Sequence, residues 1–317
     1  MKIITETKVF LQIFQDPVEI LNENNVDLKY SDDLYCITMK VGVVEKSKKT
    51  RNYSIEEDSK KQTEQIFFIR IEYDVRFIKL PEMVDQDGND ISGSISIQEL
   101  EDLLFREKCM ELLNTYFLAL FIAKPDLLIT GETILLYEGK KASYDNVICQ
   151  EGNLFTFEDY KPGRIELKTV FDFINSGDIF EDGRSKSTIG IGIAAIAIMY
   201  SYNSEDLQKM MLALMALEAI YTESNQSISS QLADKIPLFL NDIEIDSGKI
   251  KKIYDTRSRY IHGDFNIRIP FITNDDDMKK EDLLSGYYSY AMYLLILTIQ
   301  KAIIENKLEI KYRYIIE

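Results

Sequence analysis

The chain reads as an N-terminal α+β domain followed by an all-α helical bundle. Three observations predict this. Runs rich in Ile, Val, Phe and Tyr, partly alternating with polar residues, fall in roughly the first 175 residues. Beyond them, apolar residues recur at helical spacing. Between the two, Asn175-Ser176-Gly177-Asp178 and Glu181-Asp182-Gly183 punctuate the chain with turn residues. The expected domains are 1–176 and 184–310.

Strands are expected at Val9–Phe14, Leu34–Val44, Ile66–Ile78 and Leu127–Tyr137. Within Phe68–Phe77 the odd positions are apolar and the even ones mostly polar, the pattern of a sheet with one wet face. Lys46–Gln65 is charged and poor in apolar residues, so it reads as a loop or hairpin tip. Asp85–Asp90 is a turn, and the acids that would complete an EF-hand loop do not follow at the required spacing. Gln98–Ala123 reads as one long helix with a stripe that includes Leu104, Leu112, Tyr116 and Leu120, ended by Pro125.

In the second half, Ser187–Asn203 is apolar, with Gly190, Gly192, Ala194, Ala195 and Ala197 suited to close helix packing. The alternation across Ile189–Ile193 also fits a strand. The next helix starts at an N-cap, Ser204, with Glu205 and Asp206 at the positive end of its dipole. Leu207, Met211, Leu214 and Tyr221 mark its inner face. Glu218 falls on that face, where an acid is costly unless paired. It reads as a structural salt bridge or rim position, or as a polar residue in or behind a site. Gln226–Leu240 and Ser247–His262 are further helices. Asn274–Asp277 is an acidic loop that caps a long helix over Met278–Asn306, with Leu283, Leu284, Tyr287, Tyr290, Ala291, Leu294 and Leu297 inward.

Of the 317 residues, 45% are hydrophobic, which supplies real cores and excludes a disordered chain. The longest apolar stretch, Ile189–Tyr200, falls short of a membrane span of about 20 residues. Met1–Glu6 brings in an acid at once, with no long apolar run behind it, so no secretory signal is expected. Cys36, Cys109 and Cys149 are isolated and form no zinc-type cluster. Scattered thiols fit a reducing compartment, and the expected location is the cytoplasm. No metal, no cofactor and no membrane partner is expected. The net charge of −16 argues against a general nucleic-acid coat. One local reversal exists, where Lys249, Lys251, Lys252, Arg257 and Arg259 stand against Asp255 alone. On charge alone it reads equally well as a solvated helix face.

The chain has a single histidine, His262. Histidine is the side chain best suited to move protons near neutral pH, so histidine-based chemistry here must use it. Ile250, Ile253, Tyr254 and Ile261 make one side of Ser247–His262 apolar, and Gly263 suits a left-handed cap. Arg257 and His262 lie five positions apart, about 140° around a regular helix. A helix break at Gly263 and a long arginine side chain would bring both to one cleft, where the guanidinium holds a phosphate while the imidazole transfers a proton.

The run Lys251-Lys252-Ile253-Tyr254-Asp255-Thr256-Arg257-Ser258-Arg259-Tyr260-Ile261-His262-Gly263 resembles the motif helix of HEPN domains, most closely the Apea-like branch. Leu214–Tyr221 resembles the preceding family helix, in which an acid sits within an apolar stretch. The resemblance covers about Arg184 to Lys307 and leaves Met1–Asn175 unassigned. It implies a helical bundle that forms a homodimer, so that two Arg-x4-His motifs face one cleft. It implies a metal-independent endoribonuclease with RNA as substrate. His262 is then the general acid or base and Arg257 stabilises the phosphorane-like transition state. Ser258 and Tyr260 add hydrogen bonds, and Lys251, Lys252 and Arg259 hold flanking phosphates. Some HEPN toxins carry a modifiable tyrosine two residues after the histidine. Asp264 stands there, as a hydrogen-bond partner of His262 or a plain loop acid. By analogy the expected role is that of a toxin or antiviral effector, with a regulatory partner or ligand at the N-terminal domain. The alternative is a non-catalytic dimerisation module binding RNA, nucleotide or protein, in which His262 caps a helix and Arg257 pairs with Glu218.

Overall fold

A computed structural model describes residues 2–11, 26–31, 35–43, 46–48, 64–74, 76–77, 87–89, 111–112, 114–125, 134–137, 140–142, 160, 162–201, 206–223, 227–264 and 275–312. The chain divides into two compact units. One comprises Met1–Phe117 and Leu127–Asn153, the other Leu118–Asp126 and Leu154–Glu317.

The first unit holds an antiparallel sheet built from β1 (Lys2–Leu11), β2 (Val26–Ser31), β3 (Tyr35–Val43), β4 (Lys46–Lys48), β5 (Glu64–Asp74), β6 (Arg76–Phe77), β7 (Ile134–Tyr137) and β8 (Lys140–Ala142). Its order is β2-β3-β5-β1-β7-β8, with β4 beside β5 and β6 beside β3. β1 pairs with β5 over ten residues, from Lys2 opposite Asp74 to Leu11 opposite Gln65. This long ladder explains why β1 starts earlier than the apolar run at Val9 suggests. Ladder hydrogen bonds come from the backbone, so Lys2–Lys8 extends whatever its hydropathy. Of the segment Lys46–Gln65, expected as a loop or hairpin tip, the two ends pair antiparallel, Lys46–Lys48 with Glu64–Ile66. Residues 49–63, 98–110 and 127–133, where parts of the expected loop, helix and strand fall, lie outside the described residues.

The second unit is a helical bundle. Helical residues 118–123 precede α1 (Leu167–Ile174), α2 (Thr188–Ser201), α3 (Asp206–Tyr221), α4 (Ile228–Phe239), α5 (Ser247–Ile261) and α6 (Asp275–Ile304). The expected division near 176–184 is corrected here. Those turn residues lie inside the bundle unit, between α1 and α2, and form a two-strand hairpin of β9 (Phe180–Glu181) and β10 (Arg184–Ser185). Asp182 and Gly183 both have positive φ, at 49° and 72°. This is the two-residue turn that Asp-Gly favours, because its twist matches the strands it joins.

α2 settles the helix-or-strand ambiguity of Ile189–Ile193 in favour of helix. Ser187 accepts the Gly190 N–H at 3.0 Å and opens it. A Cβ on Gly190 would stand 2.9 Å from the Ile179 carbonyl oxygen, so glycine lets the helix lie on hairpin backbone. α3 packs against α2 and α6, and α4 against α5. Ile193, Ile196, Met199, Ala213, Leu217, Leu295 and Ile299 are fully buried between these helices. Tyr221 and Thr298 share a buried hydrogen bond of 2.9 Å across α3 and α6, worth about 1 kcal/mol. The Gln300 amide donates to both the Ile122 and Gly163 carbonyls at 2.7 Å, which ties the bundle's entry segments to α6.

Two further expectations are corrected. α6 already begins at Asp275, so the acids at 275–277 lie in its first turn rather than in a preceding loop. Leu283, expected inward, is 52% exposed. The Ser204 cap falls outside the described residues.

Candidate active site

α5 starts at Asp246, whose carboxylate accepts the Lys249 N–H at 2.9 Å. Ile250 and Ile253 are its buried anchors. The helix ends as its sequence predicts. Gly263 has φ +78°, its N–H donates to the Tyr260 carbonyl at 3.2 Å, and the Asp264 N–H closes on the Arg259 carbonyl at 2.8 Å. These paired bonds are the Schellman arrangement, and they satisfy carbonyls that a helix end otherwise leaves bare. They also make His262 the C-cap residue. Ile261, His262, Gly263 and Asp264 are all exposed, so the last turn emerges from the packed surface. Ile261, expected with the apolar side, is therefore 49% exposed rather than buried.

Arg257 has a different environment. Its Nη2 lies 3.5 Å from both carboxylate oxygens of Glu218 on α3, with side-chain exposures of 19% and 16%. Its guanidinium carbon is 5.5 Å from the centre of the Tyr254 ring. Burial holds the Glu218 carboxyl above its ordinary range, and the Arg257 charge only partly opposes this. Burial also raises the Tyr254 hydroxyl, reinforced by the Glu218 charge. Among the described residues, Arg257 Nε and Glu218 Oε1 have no hydrogen-bond partner despite their burial. The guanidinium therefore retains donor capacity beyond its single ion pair.

Arg257 and His262 thus share one helix end but not one environment. The arginine turns toward α3, and His262 is exposed to solvent at the cap. Lys251, Lys252 and Arg259 are exposed, whereas Ser258 and Tyr260 are half-buried. Lys249 leaves the basic run, because its ammonium turns onto Tyr160 and Tyr290. Asp264 is exposed, and among the described residues its only hydrogen bond is the backbone one to Arg259. The sequence places Tyr254 on the apolar side of the helix and within the motif run, with no role at the arginine. Its spacing three before Arg257 on one helix face is the signal that places the ring against the guanidinium.

Among the described residues no cluster of His, Cys, Asp and Glu is suited to a metal ion. Among the same residues no helix is long and apolar enough to cross a membrane. No family model matches the chain, and neither does any curated protein or solved structure.

Proposed function

We propose that the chain is an endoribonuclease of HEPN type that cleaves RNA without a metal ion. The observation that carries this reading is the exposed sole histidine at a helix C-cap, one turn and a half beyond a guanidinium with unused donors. In the reaction, the RNA 2′-hydroxyl attacks the adjacent phosphorus and its proton passes to a base. The 5′-oxygen departs with a proton from an acid, leaving a 2′,3′-cyclic phosphate and a 5′-hydroxyl. His262 serves one of these transfers, and the same residue of a second subunit serves the other. Arg257 neutralises the charge that builds on the non-bridging oxygens. Lys251, Lys252 and Arg259 supply exposed cations for flanking phosphates. A role as toxin or antiviral effector in the cytoplasm extends the same resemblance.

The Arg257–Glu218 pair favours a second reading. In that reading the arginine is a strut between α3 and α5, and the bundle is a non-catalytic interaction module. The two separate on one experiment, in which purified protein is incubated with total RNA in EDTA. Cleavage by wild type and none by His262→Ala supports the nuclease. Intact RNA from a stable dimer, with unaltered partner binding in the variant, supports the module.

A further inference from the structure

At its first turn α5 is fastened by an arrangement that neither reading uses. The Lys249 ammonium lies 4.7 Å from the ring centres of both Tyr160 and Tyr290. It also donates a hydrogen bond to the Tyr160 hydroxyl, which puts it at the rim of that ring rather than over its face. Tyr290 is therefore the ring that faces the cation, within the roughly 6 Å over which such attraction acts. Tyr293 packs behind these rings, with its ring centre 5.2 Å from that of Tyr160 and 6.3 Å from that of Tyr290. The Tyr160 and Tyr290 rings also pack on each other, with centres 5.0 Å apart. Among the described residues no carboxylate forms an ion pair with Lys249. The charge is met instead by the Tyr290 ring and the Tyr160 hydroxyl, which favour a compact organic cation over an anion.

The same residues hold the helix start. The Tyr290 hydroxyl accepts the Asp246 N–H at 2.9 Å, and Ser247 Oγ donates to the Ala233 carbonyl at 2.7 Å. Burial pushes the Tyr290 hydroxyl up to about 12, so it stays neutral and free to accept. Tyr160 lies on the segment by which the chain enters the bundle, three residues before the Gly163 carbonyl that Gln300 holds.

We propose that Tyr160 and Tyr290, backed by Tyr293, form a cation cage with Lys249 as its built-in occupant, and that the cage accepts a primary alkylammonium ion once that side chain is cut back. The cage clamps the entry segment to the first turn of α5. Its test reads binding and stability rather than RNA cleavage, so its failure is distinguishable from that of the nuclease reading.

Lys249→Ala removes the equivalent of n-propylammonium. In the full-length variant, n-propylammonium chloride should raise the melting temperature saturably, by about 2 °C or more over matched NaCl. The neutral analogue 1-propanol should not, and wild type should gain nothing. Adding Tyr290→Leu to the variant should abolish the gain. In wild-type protein with 13C-labelled lysine, ring currents should move the Lys249 ε-methylene protons upfield, and Tyr290→Leu should return them. An equal response to propanol, no saturable gain, or ε-methylene protons at the position of exposed lysines would overturn the proposal. The wild-type spectrum decides alone should Lys249→Ala not fold.

Discussion

Arg257→Met and Glu218→Gln break the same ion pair, yet their costs should depend on pH in opposite fashion. The pair joins α5 to α3 at 3.5 Å, with both side chains at least four-fifths shielded from solvent. Removing one partner of a fully buried pair costs about 3–5 kcal/mol. The long contact and the remaining water access reduce this to about 1–3 kcal/mol. Burial already raises the Glu218 carboxyl, and Arg257 opposes the rise. A raised pKa means that the folded state holds the proton more tightly than the unfolded chain. The stability this group contributes is therefore present below the unfolded value and is lost as pH climbs through the folded one. Without Arg257 the folded value rises further. The penalty of Arg257→Met should be small in mild acid and grow toward neutrality, by up to about 1.4 kcal/mol per pH unit. Glu218→Gln removes the titrating group itself, so its penalty, measured against wild type, should shrink toward neutrality as the wild-type contribution is lost. Urea denaturation followed by helical circular dichroism, between about pH 5 and about pH 7.5, measures both. Equal slopes in the two variants, or none in Arg257→Met, would refute a desolvated carboxylate held charged by its arginine.

His262→Ala should lower RNA cleavage by about 100-fold or more while leaving stability within about 0.5 kcal/mol, since the imidazole is exposed. Gel assays and thermal melts of one preparation check both halves. Gly263→Ala should cost about 1–2 kcal/mol. Nothing lies within 4 Å of the added Cβ, so the penalty is the left-handed backbone at φ +78° and should appear as a lower melting temperature. Gly190→Ala should cost about 1–3 kcal/mol for the opposite reason, a Cβ driven against the Ile179 carbonyl, measurable by denaturant melts. Gln300→Leu should cost about 1–3 kcal/mol by leaving the Ile122 and Gly163 carbonyls without that donor, and should speed amide exchange around residues 160–165.

Local sequence was sufficient where local chemistry decides the outcome. The end of α5 at Gly263 was legible from residues within a few positions, because caps are short-range hydrogen bonds, whereas the Asp246 cap at its start is named only by the structure. The bundle was legible from the spacing of Leu214, Tyr221, Ile250, Ile253 and Leu294, all buried. The partnership of Glu218 with Arg257 was legible as a demand, since an acid on an apolar face needs a cation. Other outcomes needed contacts between distant parts of the chain. The alternating Ile-Gly run of α2 fits two periodicities, and close approach to hairpin backbone accompanies the helix. The reach of β1 to Lys2 depends on β5, some sixty residues away in sequence. Turn residues at 175–183 announce a reversal of direction, but the same Asp-Gly chemistry serves a hairpin inside a unit as readily as a boundary between units. The separate fates of Arg257 and His262 were likewise beyond local pattern. Which side chain turns onto a neighbouring helix and which stays in water depends on where α3 lies against α5, and that position is set by the summed burial of the whole bundle.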